Sequence, residues 1–455
     1  MAASMTSSVV MTRGVLRPLV QLALPVLAEQ LLAMMIGFSD TLLVGHYLGE
    51  SHLAAMTLLN YMIWACYGLF AMISIGATAL VARFVGSGDW TMANRVTGQA
   101  LLVGVALALP ITLVSFLLGE RLVWAFDLKG EAADLATRFL YWQFPIIPLI
   151  VTEAVLIACL RGAGDTITGL VAMIAVNVVN IALSWGLLLG IGPLPRLGWD
   201  GLAVGASAGF TLGGLITLAV LLHGRRGLKL ERRWLSLDAP LARRLLSVGL
   251  PGGVDMLSVI GCQLVFLGLV NHLGTLAVAA HGVALRLESI AYLPGSAFEV
   301  AAGTMAGQFL GAGDRRRAIH SVLAASTCGT ALMILAASIL YFRAEPLVDL
   351  FLGANQEAVA VVAAPLLRIV ALAVLPLGLV MVLTGALRGA GDTRWPLVFT
   401  LIGFLGVRFP VAWLLSFAWG WGIDGAWYAI MADLTVRAAL FCGRFAHGGW
   451  QRVKV

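Results

Sequence analysis

The chain has 455 residues, 60% of them hydrophobic and only 11% charged, with a net charge of +6 and a mean hydropathy of +0.96. Soluble domains carry about 25% charged residues, so a water-soluble fold is excluded, and the excess of base is accounted for by loops beside anionic lipid without any nucleic acid. The five cysteines (Cys66, Cys159, Cys262, Cys328, Cys442) are odd in number, scattered through apolar runs and free of CxxC spacing, which excludes a disulfide frame or a cysteine metal site.

Twelve apolar runs follow one another, at 16–45, 53–80, 93–118, 136–160, 167–191, 201–222, 246–272, 277–306, 319–342, 358–386, 396–419 and 425–443. Each approaches the roughly 20 residues a helix needs to cross about 30 Å of hydrocarbon. Long alternating strand patterns are absent, so the spans are helices, which satisfy their own backbone in lipid, and the chain is not a β-barrel. The first run follows two arginines as a signal peptide would, but it holds Pro25 and Glu29 and far exceeds an h-region of about 7–15 residues. It reads as a first membrane helix.

That helix carries Glu29 and Asp40, eleven residues apart. At about 100° per residue both acids share one face, about 16 Å apart along the axis. An ionisable residue inside a membrane costs at least ~2.5 kcal/mol, which makes both functional candidates. The second run ends in Arg83 and the turn Gly86-Ser87-Gly88-Asp89. The loop after the third, with Glu120, Asp127, Lys129, Glu131 and Asp134, reads as solvated. The fourth run holds Gln143, Pro145, Pro148 and Glu153; the prolines predict a bent helix and Glu153 is a third buried acid. The fifth places Asn177, Asn180 and Ser184 on one stripe, suited to helix–helix hydrogen bonding or to partnership with the acid of helix 1.

Residues 223–245 form the only long polar stretch and read as a linker. The seventh run then restarts with Pro251 and Asp255, at the spacing of Pro25 and Glu29. The eighth carries His281, Arg286, Glu288 and Glu299 around Pro294-Gly295, with Arg286 expected to neutralise an acid nearby. Arg408 lies in the eleventh run, and Asp433 with Arg437 forms an i, i+4 pair in the twelfth that reads as structural.

These landmarks recur with a fixed displacement. Leu160-Arg161-Gly162-Ala163-Gly164-Asp165-Thr166 returns unchanged as Leu387-Arg388-Gly389-Ala390-Gly391-Asp392-Thr393, 227 residues later. Phe84-Val85-Gly86-Ser87-Gly88-Asp89 pairs with Phe309-Leu310-Gly311-Ala312-Gly313-Asp314, and Leu24-Pro25 with Leu250-Pro251. The chain is a tandem duplication: an all-α polytopic membrane protein with an N-terminal six-helix lobe (1–222), a linker (223–245) and a C-terminal six-helix lobe (246–455). An even helix number makes the repeats parallel, related by a pseudo-two-fold axis along the membrane normal. Twenty of the 29 Lys and Arg residues, among them Arg13, the cluster 225–244 and Lys454, fall on one side of this topology. The positive-inside rule puts both termini in the cytoplasm.

Three sets of residues carry a family resemblance. They are Leu24-Pro25 with Ser39-Asp40-Thr41 and Gly45-His46-Tyr47-Leu48-Gly49; Arg286-Leu287-Glu288-Ser289 through Leu293-Pro294-Gly295, Ala301-Ala302 and Gly307-Gln308-Phe309-Leu310-Gly311; and both Arg-Gly-Ala-Gly-Asp-Thr turns. Over residues 15–445 the chain resembles the multidrug and toxic compound extrusion (MATE) family, bacterial type. The resemblance implies a cation-coupled antiporter of the bacterial inner membrane, monomeric and without cofactor, in which two lobes form a V around a cavity and export amphipathic, mostly cationic compounds. It implies cation coupling, by proton or sodium, at Asp40 and Asn180, with a candidate sodium position there; Asn177 and Ser184, on the stripe of Asn180, and Glu29, on the face of Asp40, complete the expected coupling set. Asp40, Glu153, Asp255, Arg286, Glu288 and Glu299 are the expected cavity residues. Ser184 departs from the pattern, since bacterial relatives generally carry Asp or Asn there.

Two other classes fit less well. A flippase of lipid-linked oligosaccharides shares the two-lobed plan but tends towards a cationic cavity and extra helices. A membrane-embedded enzyme needs a clustered catalytic set, whereas the seven histidines are dispersed. The Gly-Ala-Gly-Asp turns lack the Lys-Ser/Thr of a nucleotide loop, so ATP is not the expected energy source.

Overall fold

The computed structural model describes residues 14–125, 129–352 and 356–453; Arg13, Asp127 and Lys454 lie outside the described residues. Among the described residues the only β pairing is one isolated bridge, Arg225 with Leu228. Twelve long helices among the described residues follow the twelve apolar runs, six per repeat. The first six are α1 (Leu16–Tyr47), α2 (Glu50–Gly86), α3 (Trp90–Ala125), α4 (Glu131–Gly162), α5 (Ile167–Leu189) and α6 (Trp199–His223). The second six are α7 (Ala239–Asn271), α8 (Thr275–Gly311), α9 (Arg315–Phe342), α10 (Glu357–Gly389), α11 (Arg394–Ala418) and α12 (Gly422–His447), with a short connecting helix at Ala344–Leu352.

Eleven of these are long and apolar enough to cross a membrane by length and composition. The remaining one, α12, owes its lower hydropathy to Asp433 and Arg437, which are buried inside the fold. As Pro145 and Pro148 predict, α4 is interrupted by a 3₁₀ turn at Phe144–Ile146. No residue pattern announces that α11 is π-helical at Ile402–Arg408 and again at Leu414–Ala418.

The helices gather into two compact units. One holds Leu24–Gly253; the other holds Val254 onward together with the start of α1 up to Ala23. In the first, α2, α3 and α4 pack together, α4 also packs on α6, and α5 and α6 form a close hairpin. In the second, α8, α9 and α10 repeat the first of these arrangements, while α12 packs on α10 and α11.

Corresponding helix pairs cross at corresponding small residues. A Cβ on Gly162 would come within 2.9 Å of the Thr78 carbonyl oxygen, and a Cβ on Gly303, the counterpart of Thr78, within 2.8 Å of the Gly385 carbonyl oxygen. Gly389, the counterpart of Gly162, is packed directly on the Gly303 backbone. Small residues let membrane helices approach to backbone distance. The turns that follow also match. Gly88, Gly164, Gly313 and Gly391 have φ of +80°, +86°, +78° and +85°. The next N–H, of Asp89, Asp165, Asp314 or Asp392, closes a six-to-one bond of 2.8–2.9 Å onto Phe84, Leu160, Phe309 or Leu387. This is the left-handed glycine cap that satisfies the last carbonyls of a helix.

Candidate coupling site and buried ion pairs

The repeated phrase folds into the same device in each unit. Arg161 donates to Glu29 Oε1 at 2.7 Å. Arg388 donates to Asp255 Oδ2 at 2.7 Å, and its other terminal nitrogen donates to Glu299 Oε1 at 3.2 Å. Glu29 and Asp255 each lie four residues, about one turn, after Pro25 and Pro251. The aspartate of the phrase looks the other way. Asp165 accepts the Thr168 hydroxyl at 2.7 Å and Arg225 Nε at 2.9 Å. Asp392 accepts two nitrogens of Arg444 at 2.9 and 2.8 Å. Burial pushes the Asp392 carboxyl up, and the Arg444 hydrogen bond and charge oppose it. One turn therefore ties the end of α4 or α10 to α1 or α7 through its arginine, and to the arginine at or just past the end of α6 or α12 through its aspartate.

Asp40 is buried in the first unit, as are Asn177, Asn180 and Ser184 on the polar stripe of α5. Asn180 lies close enough to Asp40 for its side chain to act on the carboxylate. Its amide nitrogen lies 3.5 Å from Ser184 Oγ, and the Asn177 amide donates to the Met173 carbonyl at 2.9 Å. Asp40 Oδ1, Asn177 Oδ1 and Asn180 Oδ1 are buried acceptors that meet no protein donor among the described residues. Buried polar atoms are normally paired. An unpartnered carboxylate oxygen in a buried site is one that a proton or a small hard cation could satisfy. Among the described residues no three His, Cys, Asp or Glu side chains cluster as a metal site. Gly205 of α6 is packed directly on Ser184, so a short side chain at 184 permits the close α5–α6 approach.

The other expected residues divide. Glu29 is engaged by Arg161. Glu153 is buried against Gly213 of α6, with Oε1 unpartnered among the described residues. Asp255 and Glu299 share Arg388. Arg286 does not neutralise a nearby acid as expected: it is exposed and makes no ion pair among the described residues. Two residues along a helix is a turn of about 200°, which points it away from Glu288. The arginine whose charge reaches Glu288 is Arg408 of α11.

Arg408 belongs to a clamp that sequence spacing showed only in part. Asp433 Oδ2 accepts Arg408 at 2.8 and 2.6 Å, and Arg437 donates to both carboxylate oxygens at 2.7 and 2.8 Å. The Arg408 guanidinium also lies 4.2 Å from the Phe404 ring centroid. Gly403 leaves the space in which the Asp433 carboxylate and the Arg437 stem sit. The i, i+4 pair was legible; the second arginine, 25 residues away on a π-helical turn, was not.

Two duplicated helical units, apolar on the outside and with acids buried among their helices, define a polytopic membrane transporter of tandem-repeat plan. The MatE family model matches residues 25–185 and 251–414, and the chain belongs to that family. Similar proteins include the probable multidrug resistance protein NorM of Bradyrhizobium diazoefficiens, 31% identical, with 93% of this chain and 92% of that protein aligned. Another is its namesake in Thermotoga maritima, 26% identical over 96% of this chain and 93% of that protein. The fold is shared with a multidrug resistance MATE family transporter solved in an outward-facing conformation, at a TM-score of 0.89 and 21% identity over 97% of this chain and 99% of the other. It is shared also with a mutant of the Vibrio cholerae MATE transporter VcmN, at a TM-score of 0.87 and 20% identity over 96% of this chain and 98% of the other.

Proposed function

We propose that this chain is a cation-coupled antiporter of the bacterial inner membrane, with both termini cytoplasmic, that exports amphipathic, mostly cationic compounds by alternating access. The observation that carries the reading is Asp40, a carboxylate buried within an apolar helix beside Asn180. The names of its relatives, multidrug resistance proteins, support drug export; the amphipathic, cationic character of the cargo is what the family resemblance implies.

A buried carboxylate is costly while ionised and unpaired. A proton or a sodium ion removes that cost, and so does a cationic cargo held in the same unit. Ion and cargo therefore compete, and exchange follows if each binds the two conformations differently. Neutralising Asp40 allows α1 to bend near Pro25 or Gly37, which contracts the unit around the site and expels cargo. Asn177, Asn180 and Ser184 supply the oxygens that share the ion. Proteoliposomes given a fluorescent cationic dye and separate proton and sodium gradients test the reading: dye must move against its own gradient under one of them. Dye that equilibrates identically with and without any gradient overturns it.

A further inference from the structure

The buried ion pairs are of two kinds, and the difference assigns them different duties. In the clamp, both oxygens of Asp433 are used, by two arginines, and the carboxylate has no exposure. At the repeated turns the pairing is incomplete. Among the described residues, Glu29 uses Oε1 and leaves Oε2 without a partner; Asp255 uses Oδ2 and leaves Oδ1 without one; the Nε of Arg388 is also unpartnered. A buried pair held through one oxygen carries most of the desolvation cost and recovers only part of it. A conformation that rehydrates such a pair is close in energy, whereas opening the clamp would strand charge.

Position points the same way. Each incomplete pair grips its helix one turn beyond a proline, which removes a backbone hydrogen bond and weakens the helix just before it. The division into compact units falls between Ala23 and Leu24 in α1 and between Gly253 and Val254 in α7, close to those prolines in both helices. The arrangement is kept in both repeats. In the second unit Glu299 already touches the same guanidinium, so Arg388 keeps a counter-ion when Asp255 leaves.

We infer that Arg161–Glu29 and Arg388–Asp255 are latches that open and re-form in every transport cycle, with Arg161 and Arg388 as positioning residues for α1 and α7. The inference rests on the alternating-access reading above and adds to it the joint that must part.

The test holds the latch shut. In a chain whose five native cysteines are replaced, cysteines are introduced as Glu29→Cys with Arg161→Cys, and separately as Asp255→Cys with Arg388→Cys. Each pair is bridged in proteoliposomes by a short bis-methanethiosulfonate and then released by reduction. Dye export falls at least about tenfold on bridging and returns on reduction; the same molecules serve as their own control for folding. A bridged protein that exports at the rate of its reduced form makes the pair a permanent staple and overturns the inference. If a reduced variant does not transport, hydrogen exchange on the unmodified chain decides. During turnover, amides at 25–33 and 251–259 exchange faster than at rest while those at 403–437 do not; unchanged protection at the two latches overturns the inference. Failure of the unmodified chain to move dye under any gradient is a failure of the antiport reading, and is separate from the bridging result.

Discussion

Arg408 and Asp433 meet at 2.6 Å inside the second unit, with side chains 3% and 0% exposed, and Arg437 closes on the same carboxylate from one turn further along α12. One carboxylate serves two arginines, so removing it is far more serious than removing either arginine. Asp433→Asn keeps the shape but leaves two buried cations without a counter-charge, a loss of about 3–5 kcal/mol by the behaviour of broken buried pairs. The expected result is a sharp fall in thermal midpoint in detergent and in folded yield. Arg437→Met should cost less than Asp433→Asn, because Arg408 still pairs with the acid; equal losses would contradict the charge argument.

Gly403 tests the same clamp from the side. A methyl group there would occupy the position of the Asp433 carboxylate, so Gly403→Ala should overpack the site at a cost of about 1–3 kcal/mol. Gly37 is the control, since a Cβ placed there would meet nothing within 4 Å. Gly37→Ala should leave the thermal midpoint unchanged or slightly raised.

The turn glycines fail for a different reason. At φ of +86° and +85°, Gly164 and Gly391 hold a left-handed conformation that costs an L-residue about 1–2 kcal/mol. Gly164→Ala and Gly391→Ala should each lower stability by about that much, and Gly→Asn by less, because asparagine tolerates the conformation. Thermal unfolding of the four variants measures this. Asparagine faring worse than alanine at both sites would contradict the backbone explanation.

The number of helices and the duplication were legible because both are local: run length reports membrane crossing, and a copied phrase reports a copied fold. Burial of Asp40, Asn177, Asn180 and Ser184 in one unit was legible for the same reason, since an acid in an apolar run and a stripe of polar residues on one helix are readable without any tertiary information. Partnerships across long sequence distances were not. Arg161 and Glu29 are 132 residues apart, and only the double recurrence of Pro-x-x-x-acid with Arg-Gly-Ala-Gly-Asp-Thr could have signalled the pairing. Arg286 misled because nearness in sequence is not nearness in space on a helix. The π-helical turns that carry Arg408 leave no compositional mark at all.

Orientation can be checked from the linker. Arg233 lies among the basic residues of 225–244, and its side chain is 67% exposed. In a cysteine-free chain, Arg233→Cys should react with a membrane-impermeant maleimide only after cells are permeabilised, and Arg196→Cys, in the loop between α5 and α6, should react in intact cells. The opposite pattern would invert the topology and move the latches to the outer side.

Asp40 carries the coupling prediction, and its surroundings decide what a substitution does. Asp40 is 6% exposed, with Asn180 beside it and Oδ1 unpartnered among the described residues. Asp40→Asn is nearly isosteric and removes a buried charge, so the chain should fold and reach the membrane at least as well as the parent. Asparagine neither takes up a proton in the working range nor balances a cation. Gradient-driven dye export should therefore drop at least about tenfold, and what remains should be flat in pH between about 6 and 8, whereas the parent's export changes across that range. Asn180→Leu removes the neighbouring oxygen while leaving the carboxylate in place, so it should weaken coupling without abolishing it and should shift the pH profile of export. Dye binding, read by fluorescence polarisation, separates coupling from recognition: Asp40→Asn should retain measurable binding while losing its sensitivity to pH or sodium. Export by Asp40→Asn at the parent rate, with the same gradient dependence, would remove Asp40 from the mechanism. Glu153, the other buried acid of that unit with an unpartnered oxygen and no ion pair among the described residues, would then be the residue to test next.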